Sequence, residues 1–258
     1  MQTLHASKCG LSTTQLPSSI LDVIDSLTKA GYDAYIVGGG VRDLMHGLEP
    51  KDFDAVTNAT PSQIKEVFGR RCRIIGRRFE LAHVYSGREL IEVATFRAPP
   101  KKAVTSAAGM ILRDNNWGTI EQDFVRRDFS INAMYYQPRK GIVLDFCNAI
   151  EDIQSRTLRL LGDPLLRFEE DPVRMLRTLR FAAKLNFKIA PEILDGTARW
   201  IKFEAGEAFM PLFIEKVGDD HIAIYHHYEA GGDLIADPDM SFWINQDEKA
   251  LHARSFQQ

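Results

Sequence analysis

The 258-residue sequence predicts an α+β fold: a small mixed sheet with flanking helices, a short helical segment, and a small β-rich C-terminal module. Three observations predict it. Short β-prone runs alternate with segments of helical periodicity through most of the chain, and three consecutive glycines at 38–40 join a predicted strand to a predicted helix. After Asp195 the sequence changes to β-like runs separated by turns. We therefore expect a domain boundary at Asp195 and a separate module at 196–258.

The first elements follow from apolar spacing and capping residues. Apolar residues three and four apart at 20–27 predict an amphipathic helix that ends near Gly31. The run Ala34–Val37 predicts a strand that enters the glycine turn, and a second strand is predicted at 53–57. Thr60-Pro61 predicts the next helix start, because Thr caps helices well and Pro fits the first turn.

Later elements are less regular. Further strands of the sheet are predicted at 72–75, 81–85 and 90–96. We expect a long mobile loop at 99–120, which is rich in Pro, Lys, Ser, Gly and Asn, a short helix at 124–134, and a helix capped by Asp171. About three strands are predicted in the C-terminal module, at 210–217, 222–228 and 240–244.

Composition separates two parts of the chain. The net charge of −3 gives no hint of a nucleic-acid partner, but residues 1–195 hold 27 of the 32 basic and 24 of the 35 acidic residues. The remainder is strongly acidic, which indicates a second module. Three widely spaced cysteines without a metal-binding or disulfide pattern favour a reducing, cytoplasmic location. Secretion and membrane insertion are not expected, because the N-terminus shows no apolar core of about 7 to 15 residues and no window reaches about 18 apolar residues.

The strongest candidate site lies where the glycine turn meets Asp52 and Asp54. Alternate residues of a strand lie on one face, so we expect the two carboxylates to lie together. Carboxylates that close repel each other unless a cation lies between them, and the pair suits one or two Mg²⁺ ions that also bind phosphate oxygens. Gly38 and Gly39 would let backbone N–H groups approach a triphosphate near a helix start. These residues predict a nucleotidyl-transfer site.

Other interpretations of these residues are weaker. An isolated pair of aspartates two residues apart is more often an ordinary solvated strand edge, but the preceding glycine turn favours the nucleotide site. Two other phosphate-binding loops are excluded, because no Gly-Lys-Ser/Thr follows the glycines and the pattern G-x-G-x-x-G is absent.

Three motifs in the same order resemble those of bacterial poly(A) polymerases and CCA-adding tRNA nucleotidyltransferases. They are residues 38–43 with 51–54, the segment RRDFSINA at 126–133, and the segment EDPVRMLR at 170–177. The resemblance covers about residues 20–194. It implies a nucleotidyltransferase head at 1–160, a truncated helical neck at 161–195, and a C-terminal segment unrelated to that family.

The resemblance also implies catalytic roles. Asp52 and Asp54 would hold catalytic Mg²⁺, which activates the RNA 3′ hydroxyl for in-line attack on the α-phosphate of ATP. Asp128 would be a further active-site carboxylate near the ribose. For Glu92 two interpretations stay open: a third acidic group that faces the pair, or a strand residue in a salt bridge with an arginine.

The residues expected to bind the nucleotide are Gly38, Gly39, Arg42, Arg127, Asp171, Arg174 and Arg177. Residues three apart share a helix face, and a carboxylate with a guanidinium could read a base edge, so Asp171, Arg174 and Arg177 suit base selection. Outside this family, an Asp–Arg pair at that spacing is more often a plain helix ion pair.

Residues 74–84, IIGRRFELAHV, resemble the segment that sets bacterial poly(A) polymerases apart from CCA-adding enzymes. Addition of AMP to RNA 3′ ends is therefore favoured, with CCA addition or a weakened nucleotide- or RNA-binding fusion protein as alternatives. Basic residues nearby would contribute an RNA or triphosphate surface, unless they form a solvated basic face; they are Arg70, Arg71, Arg73, Arg77, Arg78, Arg97, Lys101 and Lys102.

Two segments depart from the family pattern. Asn148-Ala149 stands where a Gly-Gly is common, and we expect a stiffer hinge at Ala149 because Ala adopts positive φ less easily than Gly. Residues 221–244 resemble a small uncharacterised domain of phage and plasmid proteins, for which no partner is predicted. A metal site at His221, His226 and His227 is disfavoured, because His226 and His227 would point to opposite faces of a strand and no matching cysteine exists.

Overall fold

The protein divides into two compact units. The computed structural model describes residues 1–76, 80–99, 104–105, 111–113, 116–171, 173–194, 200–203, 212–216, 221–230, 233–245 and 250–257. The head comprises Met1–Val104 and Ile111–Ser155, and the C-terminal unit comprises Thr105–Met110 and Arg156–Gln258. The division falls at Ser155, close to the predicted boundary at 160, whereas the predicted boundary at 195 lies inside the C-terminal unit.

A mixed eight-stranded sheet forms the centre of the head. The strands described up to residue 145 are β1 Gln2–His5, β2 Ala34–Val37, β3 Asp54–Thr57, β4 Cys72–Ile75, β5 Leu81–Ser86, β6 Glu89–Thr95, β7 Val104–Thr105, β8 Ile111–Arg113, β9 Met134–Gln137 and β10 Ile142–Asp145. The sheet runs β1-β10-β9-β2-β3-β6-β5-β4. Its β3–β6 pair is parallel and its other pairs are antiparallel. The predicted mixed sheet is confirmed, and it is larger than the sequence indicated.

Helices flank this sheet as predicted. They are α1 Ser18–Lys29, α2 Gly39–Met45, α3 Pro61–Phe68, α4 Ile120–Arg126 and α5 Ala149–Gln154. The apolar stripe of α1, from Ile20 to Leu27, is fully buried, and α1 contacts β2, β3, β5 and β6. At the start of α3, Thr60 Oγ1 accepts from Gln63 N while Gln63 Oε1 accepts from Thr60 N, which is a capping box.

The second face of the sheet carries a separate apolar cluster. Its buried members are Val37, Val56, Phe96, Tyr135 and Leu144, and Ile120 and Phe124 of α4 pack against them. Asp54 precedes Val56 by two residues in β3, so it lies on this same face. The cluster therefore borders the carboxylate that the sequence singled out.

The predicted helix at 124–134 is wrong. The helix α4 ends at Arg126, and Met134–Gln137 forms β9, a central strand buried along its whole length. A fully buried strand has no polar–apolar alternation, and its pairing with β2 and β10 depends on residues far away in sequence. Local spacing therefore could not separate it from the helix.

About half of the predicted mobile loop at 99–120 lies outside the described residues, and its described part holds the short strands β7 and β8. Its two ends lie together: Ala98 N donates to Asn116 O at 2.8 Å, and Gly118 N donates to Phe96 O at 2.8 Å. The two ends of the segment are therefore joined at the head by backbone hydrogen bonds.

The expected hinge at Ala149 is also wrong in its position. The positive φ of 60° belongs to Asn148, and Ala149 is the buried first residue of α5. Asn tolerates the left-handed region better than other non-glycine residues. The carboxylate of Asp145 accepts from the backbone amides of Cys147, Ala149 and Ile150 at 3.0 to 3.1 Å, which fixes the start of α5.

The C-terminal unit begins with helices and ends in a meander. Its elements are β11 Thr157–Leu158, α6 Pro164–Glu170, α7 Val173–Leu185, β12 Lys188–Ile189, α8 Pro191–Leu194, β13 Trp200–Phe203, β14 Leu212–Lys216, β15 His221–Ala230, β16 Asp233–Asn245 and β17 Ala250–Gln257. The strands β13 to β17 pair antiparallel in sequence order. The described residues thus hold five strands of this meander, whereas the sequence predicted about three.

The sequence prediction missed β13, β17 and the first half of β16. The register of β15 and β16 shifts between the pairs Tyr225–Asp239 and His227–Ala236, so β16 continues through Pro238 as a bulge.

Among the described residues, no helix combines the length and apolar character needed to cross a bilayer.

Candidate active site

A row of side chains crosses the head sheet through Asp54. The registers pair Tyr135 with Val37, Val37 with Asp54, Asp54 with Glu92, and Glu92 with His83. Residues opposite each other in neighbouring strands lie on the same face of the sheet. The row therefore places the carboxylates of Asp54 and Glu92 on adjacent strands.

The glycine turn packs directly against the entry to β3. A Cβ at Gly40 would lie 2.8 Å from Phe53 Cδ1, closer than Cβ atoms approach other atoms in proteins, and 3.1 Å from Asp52 O, which is tighter than most Cβ contacts. Gly40 therefore lets the first turn of α2 touch the two residues before Asp54. The structure begins β3 at Asp54, and Asp52 is exposed just before it.

The turn also meets the Asp54 carboxylate. Gly38 has a φ of 78°, which favours glycine, and a Cβ on it would lie 3.7 Å from Asp54 Oδ2. Gly39 opens α2, and its position lies close to the guanidinium of Arg42. The predicted association of the glycine turn with Asp54 is thus present in the structure.

Asp54 is held in an electrostatically unfavourable place. Burial raises its pKa to about 6, with further increases from the charges of Glu92 and Asp52, while Arg127 opposes the shift. A divalent cation would relieve this repulsion, and carboxylate oxygens are the ligands that Mg²⁺ takes. Within the described residues, no group of three His, Cys, Asp or Glu side chains forms a metal cage. The donor set fits a cation that takes its other ligands from water or phosphate.

The second motif is tied to the first by buried hydrogen bonds. Arg42 is 3% exposed, and its guanidinium donates to Asp43 Oδ1 at 2.7 and 2.5 Å and to Asn132 Oδ1 at 2.6 Å. Asn132 Nδ2 in turn donates to Asp128 Oδ1 at 3.3 Å, and Phe129 N donates to the same oxygen at 2.8 Å. Arg42 thus links α2 to the segment that carries Asp128, and its contact with a nucleotide stays a prediction.

Arg127 belongs to the surroundings of Asp54. Its guanidinium donates to Asp123 Oδ2 and to the Tyr135 hydroxyl. Sequence reasoning missed Asp123 and Tyr135. The spacing of Asp123 four residues before Arg127 is a signal that could have indicated this pair.

Glu92 has a histidine neighbour. His83 Nε2 lies 3.4 Å from Glu92 Oε1, and Glu92 is half-exposed beside Asp54. One interpretation of Glu92, a salt bridge with an arginine, stays a prediction, because Arg77 and Arg78 lie outside the described residues. A role as the third acidic group stays a prediction.

The residues predicted to select the base belong to the C-terminal unit. Asp171 Oδ1 accepts from Val173 N at 3.2 Å, which confirms Asp171 as the cap of α7. Arg174 Nη1 donates to Arg167 O at 2.6 Å and to Glu170 Oε2 at 3.0 Å. Arg177 stacks over Phe181 with its guanidinium carbon 5.4 Å from the ring centroid. Their action on a base stays a prediction.

The basic residues that were predicted to form an RNA or triphosphate surface lie in different environments. Arg70 and Arg73 are exposed, Arg71 pairs with Asp22 at 2.7 Å, and Arg97 Nη2 donates to Glu80 O at 3.3 Å. The remaining members lie outside the described residues: Arg77, Arg78, Lys101 and Lys102.

Comparison with known proteins connects this geometry with a family. Residues 34–159 match the family described as the Poly A polymerase head domain. Poly(A) polymerase I of Haemophilus influenzae is 50% identical over 189 residues, which are 71% of this chain and 42% of that protein. The head of this chain belongs to the poly(A) polymerase and tRNA nucleotidyltransferase family.

CCA-adding enzymes are also similar to this poly(A) polymerase-like head. The enzyme of Levilactobacillus brevis is 36% identical over 172 residues, 67% of this chain and 42% of that protein. The crystal structure of the Bacillus stearothermophilus CCA-adding enzyme in complex with CTP matches with a TM-score of 0.57 and 33% identity, over 68% of this chain and 41% of that one. The predicted nucleotidyltransferase head fold is thereby confirmed.

A further similar structure contains an RNA and a nucleotide analog. It is a tRNA nucleotidyltransferase complexed with a primer tRNA and an incoming ATP analog, and it matches with a TM-score of 0.52 and 31% identity, over 67% of this chain and 48% of that one. This chain spans less than half the length of the curated relatives it matches, between 42% and 48%. Residues 183–258 match a different family, a domain of unknown function called DUF6908.

Proposed function

We propose that this chain transfers AMP from ATP to the 3′ end of RNA at the site built around Asp52 and Asp54. The observation that carries the proposal is the state of Asp54. Its pKa of about 6 reflects burial and the negative charges of Glu92 and Asp52, and the glycine turn lies against its carboxylate. A site with these properties suits a divalent cation and a triphosphate.

Asp52 and Asp54 would hold Mg²⁺, with Glu92 as a further candidate ligand. When bound, the ion neutralises charge on the α-phosphate and favours ionisation of the 3′ hydroxyl. The chain's own residues bind and orient the reactants: the Gly38 turn admits the triphosphate, and Arg127 contributes positive charge near Asp54. The RNA 3′ oxygen bonds to the α-phosphorus as the bond to the β-phosphate breaks, pyrophosphate leaves, and the hydroxyl proton passes to water.

Adenylate addition is favoured over CCA addition by two observations. The identity with poly(A) polymerase I is 50%, compared with 36% for the CCA-adding enzyme. Residues 74–84 also resemble the segment typical of poly(A) polymerases. The family resemblance implies that Asp171, Arg174 and Arg177 select the base, and we propose this role because their carboxylate and guanidinium groups can pair with a base edge.

Primer extension tests the proposal. The purified chain is incubated with Mg²⁺, labelled ATP and an oligo(A) primer, and we expect stepwise extension. The double variant Asp52→Ala/Asp54→Ala should lose extension, whereas Asp33→Ala, which removes an exposed carboxylate beyond the far end of β2, should retain it. Equal extension by the wild type and the double variant would contradict the assignment of the carboxylate pair.

The choice of nucleotide separates the alternatives. Cytidylate addition to a tRNA that lacks its CCA end, without extension of oligo(A), would favour the CCA-adding function. ATP binding without extension of either primer would instead indicate a nucleotide-binding protein that has lost transfer.

A further inference from the structure

Arg127 is held by a buried three-residue cluster, which we call the arginine clamp: Asp123, Arg127 and Tyr135. Arg127 Nη2 and Nε donate to Asp123 Oδ2 at 2.9 and 3.2 Å, and Nε also donates to the Tyr135 hydroxyl at 3.0 Å. Tyr135 donates its own hydroxyl hydrogen to Asp123 Oδ2 at 2.9 Å. Each member therefore contacts the two others.

The clamp restricts the guanidinium in two directions. The Arg127 guanidinium carbon lies 5.1 Å from the centroid of the Tyr135 ring, in addition to the hydrogen bonds at its edge. Asp123 is itself anchored, since its Oδ1 accepts from Arg97 N at 3.2 Å. Tyr135 is 0% exposed. A planar guanidinium bound through both its edge and its face has few alternative orientations.

The clamp lies in the row that contains the carboxylates. Tyr135 pairs with Val37, and Val37 pairs with Asp54, so a single strand separates Tyr135 from Asp54. Strands are about 4.8 Å apart, so the two backbones are about 10 Å apart. A long Arg127 side chain, held over the Tyr135 ring, can reach across that interval toward Asp54.

We propose that Tyr135 and Asp123 are positioning residues that hold the Arg127 guanidinium toward the triphosphate of a nucleotide bound at Asp54. This inference rests on the proposed function. Neither residue touches the nucleotide; both act through Arg127. Restricting the guanidinium before binding removes the entropy cost of immobilising it when the nucleotide arrives.

The neighbouring tyrosine provides a matched control. Tyr136 is buried to 1% exposure, and adjacent residues of a strand point to opposite faces, so its hydroxyl lies away from Arg127. Tyr135→Phe and Tyr136→Phe each remove one buried hydroxyl from β9. Of the two, Tyr135→Phe alone loosens the clamp.

The experiment measures ATP affinity by calorimetry, without primer, in a double-mutant cycle. We expect Tyr135→Phe to weaken binding by about 2- to 10-fold, the cost of ordering one side chain, while Tyr136→Phe leaves it unchanged. Arg127→Ala should weaken binding further, and adding Tyr135→Phe to Arg127→Ala should change nothing more. Asp123→Asn should reproduce the Tyr135→Phe effect, with folding of each variant followed by circular dichroism.

Three results would overturn the inference. If Tyr135→Phe weakens binding equally with and without Arg127, the hydroxyl acts on the fold rather than on the arginine. Unchanged affinity in Tyr135→Phe, or a wild type that does not bind ATP, would also contradict it. Failure of the proposed function gives a different result: the wild type binds ATP, and Tyr135→Phe weakens that binding, but no primer is extended.

Discussion

Replacing Asp54 with Asn should stabilise the metal-free head while abolishing nucleotidyl transfer. The carboxylate has a pKa of about 6 in the folded protein, compared with an ordinary value of 3.8. One pKa unit corresponds to about 1.4 kcal/mol, so ionised Asp54 lowers the free energy of unfolding by at most about 3 kcal/mol. Solvent reaches part of the side chain, which reduces the expected gain to about 1 to 3 kcal/mol. Asn keeps the shape and removes the charge.

The gain should depend on pH in a defined direction. Below pH 3.8 Asp54 is protonated in both the folded and the unfolded chain, so its charge has no effect on stability. Between pH 3.8 and about 6 the folded chain binds the proton more tightly, and stability falls as the pH rises. Above about pH 6 the full cost is present. The advantage of Asp54→Asn should therefore develop across this interval and stay constant above it.

The stability of the head is measured in a urea titration with EDTA present. Hydrogen exchange at the β2 and β3 amides is the readout, because it reports on the head separately from the C-terminal unit. The control is Asp33→Asn, which removes an exposed carboxylate near the other end of β2. Stability equal to or lower than that of the wild type at pH 7.5 would refute the electrostatic account of Asp54. So would a gain that is the same at pH 3.5 and pH 7.5.

Two further substitutions test the local geometry. Gly40→Ala places a Cβ 2.8 Å from Phe53 Cδ1 and should displace Asp52, lowering the kcat of primer extension by about 10- to 100-fold; an unchanged kcat would show that the turn does not position the carboxylates. Asn148→Ala should lower the free energy of unfolding by about 1 kcal/mol, because Asn148 has a φ of 60°, whereas Asn148→Gly should not lower it. Equal losses of stability in the two variants, measured by thermal unfolding, would contradict the role of the left-handed backbone.

Local signals predicted the part of the site that is continuous in sequence. The strand, glycine turn and helix at 34–45, and the capping box at Thr60, depend on residues a few positions apart. Hydrophobic spacing and capping chemistry determine such elements, so they can be predicted from a single sequence. The association of the turn with Asp54 follows from the short connection between them.

Residues brought together by strand pairing were harder to predict. Tyr135 reaches the site because β9 pairs with β2, about 100 positions earlier in the chain, and β9 has no alternation that marks it as a strand. The strand β1 forms by pairing with β10, which lies near the end of the head in sequence. His83 faces Glu92 for the same reason. Cross-strand register, which local spacing does not contain, determined these contacts.

The central claim is that AMP moves from ATP to an RNA 3′ end while pyrophosphate leaves, and labelled ATP tests it most directly. The wild-type chain is incubated with Mg²⁺, oligo(A) and ATP labelled at either the α- or the γ-phosphate. The account predicts that the α label enters the primer, that the γ label appears in pyrophosphate in equal amount, and that Asp54→Asn abolishes both. An α label that never enters the primer, or that enters it equally in Asp54→Asn, would contradict the account.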